Sequence, residues 1–281
     1  MTPLRTITLC ENTAQFGFLA EWGLSIFIEA HGRRLLLDTG MTDVAVRNAS
    51  HFNINFSDLD AIVLSHGHSD HTGGLTHVLD QSGPKPVIAH PDIFKTRFTV
   101  KHRPEVRDIT LPHSRELLES RGAQFQLDTA YREIFPGIAV SGEVPMETDF
   151  EFVEKSLQTG TRHELRPDPL HDDLSLAIQT GMGLFIITGC AHRGIVNIVR
   201  HFQKMTGEKT VYAIMGGFHL GNASPAHINK VISFLIDTGV KKLMSAHCTG
   251  FNASCAMFNA FGKVFLLNQS GTRFVFNVDP P

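Results

Sequence analysis

Cysteine is scarce in this chain. Cys10, Cys190, Cys248 and Cys255 are the only four in 281 residues, and no two form a Cys-x-x-Cys pair. They do not read as a disulfide framework. No apolar run reaches the length of a membrane span. Met1 to Cys10 lacks a basic region followed by a long apolar one, so no signal peptide is expected. Charge of one sign is missing too: the net charge is -3, which implies no nucleic-acid and no membrane partner. No Gly-x-Ser-x-Gly elbow appears, so a serine nucleophile is not needed, and no Gly-x-Gly-x-x-Gly or P-loop pattern points to a nucleotide cofactor. Repeats, coiled coils and low-complexity tracts are absent. What remains is 42% hydrophobic and 19% charged, enough to bury a large core. One α/β domain over residues 1–281 and a cytoplasmic location fit. The sequence carries no signal for oligomeric state.

Histidine, by contrast, is abundant, with 16 residues. The densest stretch is Leu64-Ser65-His66-Gly67-His68-Ser69-Asp70-His71-Thr72-Gly73-Gly74. Before it, Asp60 to Leu64 is apolar and β-branched enough for a short buried strand. After it, Leu75, Val78 and Leu79 have the spacing of an apolar helix face. The polar cluster therefore falls on a turn between a strand and a helix. His66 and His68, two apart on extended backbone, point the same way. Asp70 and His71 fall where the helix begins and aim elsewhere. One turn can then serve two metals with mixed nitrogen and oxygen ligands, a set that suits zinc.

In chain order, Thr6 to Leu9 reads as a strand. Leu24 to Ala30 and Arg33 to Asp38 form a hairpin across His31-Gly32. The loop between, with Glu11-Asn12-Thr13 and Phe16-Gly17-Phe18, has no evident purpose. Thr42 to Phe52 reads as a helix capped by Thr42. Pro86 to Ala89 is a strand ending at His90. Phe94 to Gly122 breaks the rhythm, with Lys95, Arg97, Lys101, Arg103, Arg107, Arg115 and Arg121 against four acids. It reads either as a lid that draws anionic substrates to the site, more mobile than the sheets, or as a solvated insertion with two exposed helices. Ala139 to Glu143 ends another strand. Glu147 to Glu154 is acidic, and Gln158 to Leu170 has loop composition, the place for disorder. Leu174 to Gln179 and Gly183 to Thr188 make a hairpin. Helices over Gly194 to Met205 and Pro225 to Thr238 alternate with strands Thr210 to Met215 and Lys242 to Ser245. Lys263 to Leu267 and Thr272 to Asn277 close the chain as a hairpin. Several strands thus end in glycine-flanked loops bearing candidate ligands: the His66 turn, Cys190 with His192, His219, and His247. In a sheet-based fold such loops gather on one edge.

The His-x-His-x-Asp-His turn resembles the signature of the metallo-β-lactamase superfamily, and the order of elements from Asp38 to His247 is similar to that fold. More narrowly, Gly189-Cys190-Ala191-His192-Arg193-Gly194, Gly216-Gly217-Phe218-His219-Leu220 and Ala246-His247-Cys248-Thr249-Gly250 resemble its dihydropterin-(ribofuranosyl)aminobenzene-phosphate synthase-like branch. The resemblance implies a four-layer αββα sandwich, an α/β fold with two face-to-face sheets and helices outside. It implies that His66 and His68 bind a first metal, that Asp70 and His71 bind a second with His247, and that Asp38 lies beneath and orients ligands. Two departures stand out. The family's usual His before the late hairpin is replaced by Ser141-Gly142-Glu143, and its bridging Asp by Cys190. His192 is expected to supply the missing third ligand of the first metal, its other ring nitrogen held by an acceptor. Cys190 is either a soft ligand or a buried small residue. His219 is read as a ligand, a substrate contact, a proton donor or a structural residue.

Two divalent ions, zinc first and manganese or iron next, would share a water and lower its pKa, giving a metal-bound hydroxide for attack on a carbonyl or phosphorus. The resulting expectation is a metal-dependent hydrolase of a small, anionic ester or phosphoester, with Asp70 and His219 in catalytic roles. The alternatives are a pterin- or methanopterin-type biosynthetic enzyme using the same dinuclear site, and a non-catalytic metal-binding sensor. A diiron electron-transfer protein is disfavoured by His68, where that branch carries Glu.

Overall fold

In the computed structural model, which describes residues 4–102 and 105–276, Leu35, Leu36 and Leu37 are fully buried, as a strand covered on both faces requires. The N-terminal elements are β1 (Leu4–Cys10), β2 (Ser25–Ala30), β3 (Arg33–Leu37), α1 (Val44–Ala49), β4 (Ala61–Val63), α2 (Ser69–Thr72), α3 (Leu75–Ser82) and β5 (Lys85–Ala89). Then come β6 (Arg97–His102), β7 (Glu105–Asp108), α4 (Arg115–Ser120), β8 (Ala123–Leu127), β9 (Arg132–Phe135) and β10 (Ile138–Val140). They are followed by β11 (Leu157–Thr161), β12 (Glu164–Pro167), β13 (Ser175–Thr180), β14 (Gly183–Thr188), α5 (Ile195–Thr206) and β15 (Val211–Gly217). The chain closes with α6 (Pro225–Thr238), β16 (Lys242–Ala246), α7 (Phe251–Phe261), β17 (Phe265–Leu267) and β18 (Arg273–Phe276).

One seven-stranded sheet has the order β18-β1-β2-β3-β4-β5-β8, a second the order β17-β16-β15-β14-β13-β10-β9. Each is antiparallel on one side and parallel on the other: β3, β4, β5 and β8 run parallel, as do β14, β15, β16 and β17. Ile26, Ile28, Leu35 and Val63 of the first sheet pack with Leu176, Phe185, Ile187 and Met215 of the second in one apolar interior. Outside, α5, α6 and α7 cover the second sheet through Val199, Phe202, Val231, Leu235 and Met257. Helices α1, α3 and α4 cover the first through Ala45, Val78, Leu79 and Leu118. The result is a four-layer αββα sandwich. Among the described residues no helix is long and apolar enough to cross a membrane.

The structure departs from the sequence pattern in several places. The expected closing hairpin does not form. Strand β17 joins the second sheet parallel to β16, with α7 as the crossover, and β18 joins the first sheet beside β1. Parallel neighbours need such a connection, and the pattern suggested no helix over Phe251–Phe261. Asn277 lies outside the described residues. The helix expected from Thr42 begins at Val44, and the Thr42 hydroxyl donates instead to Glu21 Oε2 at 2.6 Å. Gln158 to Leu170, read as loop, forms β11 and β12, which with β6 and β7 make a four-stranded sheet ordered β12-β11-β6-β7.

That small sheet is anchored by Arg97, which therefore does not face solvent. It is 1% exposed and donates from Nε to Asp168 Oδ2 at 2.8 Å and from Nη2 to Asp172 Oδ1 at 2.7 Å. Asp172 Oδ2 also accepts the Gly67 N–H at 2.9 Å, so this ion pair braces the histidine turn. Gly67 must lack a side chain, because a Cβ there would lie 2.2 Å from Arg97 Nη1 and 2.3 Å from the Ile93 carbonyl. Elsewhere in the segment Lys95, Arg115 and Arg121 form exposed pairs with Asp92, Glu119 and Asp80. Arg103 and the side chain of Lys101 lie outside the described residues. Replacing Arg97 with Leu leaves two buried carboxylates without their counterion, which is expected to cost about 3–5 kcal/mol. Urea denaturation checks this, and an unchanged midpoint would contradict it.

Candidate metal centre

The parallel strands of both sheets deliver their carboxyl ends to one edge of the sandwich, the place where open α/β sheets form crevices. Asp38 follows β3, the His66 turn follows β4, Cys190 and His192 follow β14, His219 follows β15, and His247 follows β16. Several of these residues hold strained backbone. Asp38, Ala191, His219 and His247 have φ of 58°, 55°, 46° and 54°, a left-handed conformation that costs energy without glycine.

Asp38 is fully buried and organises the turn. Ser65 donates its backbone N–H to Asp38 Oδ1 and its hydroxyl to Oδ2, both at 2.7 Å. His71 Nδ1 donates to the same Oδ2 at 2.7 Å. With its hydrogen committed to Asp38, the Ser65 hydroxyl accepts from His66 Nδ1 at 2.9 Å, which leaves a lone pair on His66 Nε2. His247 is oriented from afar. Glu11 Oε1 accepts its backbone N–H at 2.7 Å, and Asn12 Oδ1 accepts its Nδ1–H at 2.8 Å. The Gly23 N–H, 3.3 Å from the same Oδ1, fixes which way the Asn12 amide points. The loop that had no evident purpose therefore places His247.

Two donor groups result. In one, His66 Nε2 lies 2.9 Å from His68 Nδ1 and 3.2 Å from His192 Nε2. In the other, His247 Nε2 lies 3.2 Å from His71 Nε2 and 3.4 Å from Asp70 Oδ2. Cys190 Sγ stands 3.1 Å from His71 Nε2, between the groups. All six residues expected as ligands are thus brought together. His219 is beside them, its ring centroid 4.1 Å from that of His192 and its Nε2 donating to Glu154 Oε2 at 3.0 Å. Glu143 is not among them, since it pairs with His90 and His171. The acceptor expected for the other nitrogen of His192 is also missing: His192 Nδ1 is buried without a partner among the described residues.

Electrostatics favours a cation here. Burial, helped by neighbouring imidazoles, pushes His66 and His192 well below the usual histidine range, so both are neutral with lone pairs available. Burial lowers His68 likewise, against the pull of Asp70. Burial alone would lower His71, but Asp38 and Asp70 outweigh it and raise it to about 9. Burial would raise Asp70, but His71 and His247 hold it well below the usual carboxylate range. The field that keeps a proton on His71 equally favours a metal ion in its place. Tetrahedral zinc with bonds of about 2.0–2.1 Å spaces its ligand nitrogens about 3.3 Å apart, close to the separations seen. The donor set fits divalent metal, with His66, His68 and His192 able to hold one ion and Asp70, His71 and His247 a second.

Above the donors a cavity of about 200 Å³ is lined by Trp22, Met41, Thr99, Arg107, Ile109 and Leu157 as well as the site residues. The metallo-beta-lactamase superfamily model matches residues 23–226. The chain belongs to that superfamily. Among proteins of the superfamily it resembles the Methanocaldococcus jannaschii 7,8-dihydropterin-6-methyl-4-(beta-D-ribofuranosyl)-aminobenzene-5′-phosphate synthase, 34% identical over 93% of each chain. The crystal structure of Tm1679, described as a metal-dependent hydrolase, superposes with a TM-score of 0.84 at 26% identity, covering 96% of this chain and 98% of that one. The metallo-beta-lactamase fold protein YhfI from Bacillus subtilis shares the fold, with a TM-score of 0.60 at 13% identity over 98% and 100% of the two chains.

Glu11, Asn12, Trp22 and Glu154 were not singled out by the sequence as site residues. The partners they meet lie far along the chain, and Asn12 and His247 are 235 positions apart. No local spacing could have signalled them. Gly189 is a last requirement of the site: a Cβ there would lie 2.1 Å from Ser65 Oγ and 3.1 Å from Asp38 Oδ2. Gly189→Ala is expected to destabilise the metal-free protein by about 1–3 kcal/mol, the usual cost of overpacking. Thermal unfolding in chelator checks this, and an unshifted Tm would refute the stated role of Gly189.

Proposed function

We propose that the chain is a metal-dependent hydrolase of small anionic esters or phosphoesters, with a dinuclear site. The observation that carries the reading is the convergence of two donor groups on the floor of a cavity whose lining includes one arginine, Arg107. In this reading His66, His68 and His192 hold one ion, and Asp70, His71 and His247 the other, with Cys190 sulfur beside both. Divalent metal supplies Lewis acidity and a water made nucleophilic at neutral pH. Arg107 anchors the substrate's anionic group. Burial alone would lower His219, but Cys248 and Glu154 outweigh it and raise it to about 9. His219 therefore carries a proton at neutral pH and donates it to the leaving oxygen. Asp70 stays ionised and balances the positive charge of the site. The hairpin of β6 and β7 forms one wall of the cavity and acts as its lid.

A second reading is a synthase of the pterin type. It is favoured by 34% identity over nearly the whole of both chains with the M. jannaschii synthase. Incubation with a dihydropterin and a ribofuranosylaminobenzene 5′-phosphate separates the two. A joined product with no turnover of an ester and phosphoester panel would favour the synthase.

Elemental analysis is expected to give close to two metal ions per chain. His192→Ala should weaken one ion about 10-fold or more and His247→Ala the other, since even losses in the surrounding shell cost that much. Metal titration reads both, and a His192→Ala protein that matches wild type at both positions would remove His192 from the ligand set. Arg107→Ala should raise KM for a phosphoester about tenfold and leave kcat within about twofold, as expected for one lost charge-assisted hydrogen bond. An unchanged KM would return Arg107 to the solvated surface.

A further inference from the structure

Cys190 and Cys248 stand in a relation to each other that metal binding and hydrolysis leave unexplained. Cys190 follows β14 and Cys248 follows β16, 58 positions apart, with β15 between. They meet beyond the strand ends. Their sulfurs, together with a ring nitrogen of His247, all lie within 4.8 Å of one another. Cys248 Sγ also rests 3.5 Å from the Cys190 carbonyl oxygen, against that residue's backbone. Gly217, the last residue of β15, leaves room for this approach. A Cβ there would lie 2.7 Å from Cys248 Sγ and 3.3 Å from Cys190 Cα, so a side chain would wedge between them. Both cysteines line the cavity above the donors, and Cys248, the more exposed of the two, also lines a second cavity next to it. A small oxidant therefore reaches them from solvent. Among the described residues neither of the other cysteines joins such a group: Cys10 is buried against Glu21, and Cys255 is exposed on α7.

We infer that Cys190 and Cys248 are a redox pair, joined as a disulfide by peroxide, and that this disulfide and a bound metal ion exclude each other. The metal half rests on the reading of the donors as a metal centre, and the bridge does not. Cys248, the more exposed member, attacks one peroxide oxygen through Sγ. The O–O bond breaks, the thiol proton leaves with the departing hydroxide as water, and a sulfenic acid remains. Cys190 Sγ then attacks that sulfur, the S–O bond breaks, and hydroxide departs with the Cys190 proton as a second water. The two thiols lose two electrons in all, and the peroxide is reduced to two waters. The new bond holds the sulfurs about 2.05 Å apart. In the reduced protein Cys190 Sγ stands 3.1 Å from His71 Nε2 and within 4.8 Å of a His66 nitrogen, so bonding to Cys248 draws it out of that donor group. A disulfide sulfur carries no charge, whereas the thiolate is the metal-binding form. The bridge also ties the loop of His192 to the loop of His247, one from each proposed ligand set.

Purified, metal-containing protein and the same protein stripped by chelator are treated with hydrogen peroxide and digested without reduction. Mass spectrometry is expected to find the Cys190 and Cys248 peptides joined with loss of two hydrogens, and dithiothreitol should part them. The stripped protein should bridge faster than the loaded one, and the bridged protein should bind zinc about tenfold more weakly than the reduced one. Cys255→Ser should bridge like wild type. In Cys190→Ser, Cys248 should stop at the sulfenic acid, which dimedone traps. Separate sulfinic acids at the two cysteines of the stripped protein, or oxidation confined to Cys255, would overturn the pair. A bridged protein that binds zinc as tightly as the reduced one would overturn the exclusion. The bridge in stripped protein is read by mass alone, so a chain that binds no metal would undo the metal-centre reading while the bridge is still tested.

Discussion

One buried carboxylate governs the donor turn. Asp38 sits at zero exposure and accepts hydrogen bonds from the Ser65 backbone, the Ser65 hydroxyl and His71. Burying a charge costs several kcal/mol unless it is paired. Here three donors converge, and hydrogen bonds to a charged group contribute about 1.5–3 kcal/mol each. The same contacts decide chemistry. Because Asp38 takes the Ser65 hydrogen, Ser65 must accept from His66, and the lone pair of His66 turns inward. A proton assignment at the base of the site thus fixes what its inner surface can bind.

The wider fold brings the other half of the donors to that surface. Strands β14, β15 and β16 run parallel and end at the same edge as β3 and β4, so the loops after them meet the turn without any one loop being long. Arg97 secures the arrangement from the side. Its pair with Asp172, which also holds the Gly67 amide, connects the small sheet of β6, β7, β11 and β12 to the histidine turn. A segment that sequence charge marked as an electrostatic lure is in part a structural strut, and within it Arg107 faces the cavity.

Much of this was legible before any coordinates. The six ligand candidates share two properties that sequence displays directly, residue type and position just after an apolar, β-branched run. Superfamily and sandwich were readable from those runs and the His66 turn. Pairing partners were not. Strands β17 and β18 have the composition of a hairpin, yet each finds a better-covered neighbour in a different sheet, and nothing local encodes that choice. Gln158 to Leu170 read as loop because of its glycine, proline and charge, yet β12, which carries Pro167, is an edge strand, and edge strands tolerate such residues. The orienting contacts of His247 and His219 were hidden for a simpler reason. Asn12 and Glu154 carry no signature on their own, and their meaning comes only from neighbours that the fold supplies.

The spread of the donors along the chain has a kinetic consequence. Asp38 and His71 come from the first sheet, His192 and His247 from the second, and His71 and His247, whose ring nitrogens face each other, are 176 positions apart. The constellation cannot exist in a locally folded fragment. It forms only when both sheets have closed on their shared apolar interior, a late event dominated by long-range pairings. An ion with this binding geometry recognises the finished molecule and not the growing one. Its contribution is then to hold a completed native state closed, slowing its opening, and not to nucleate the path toward it.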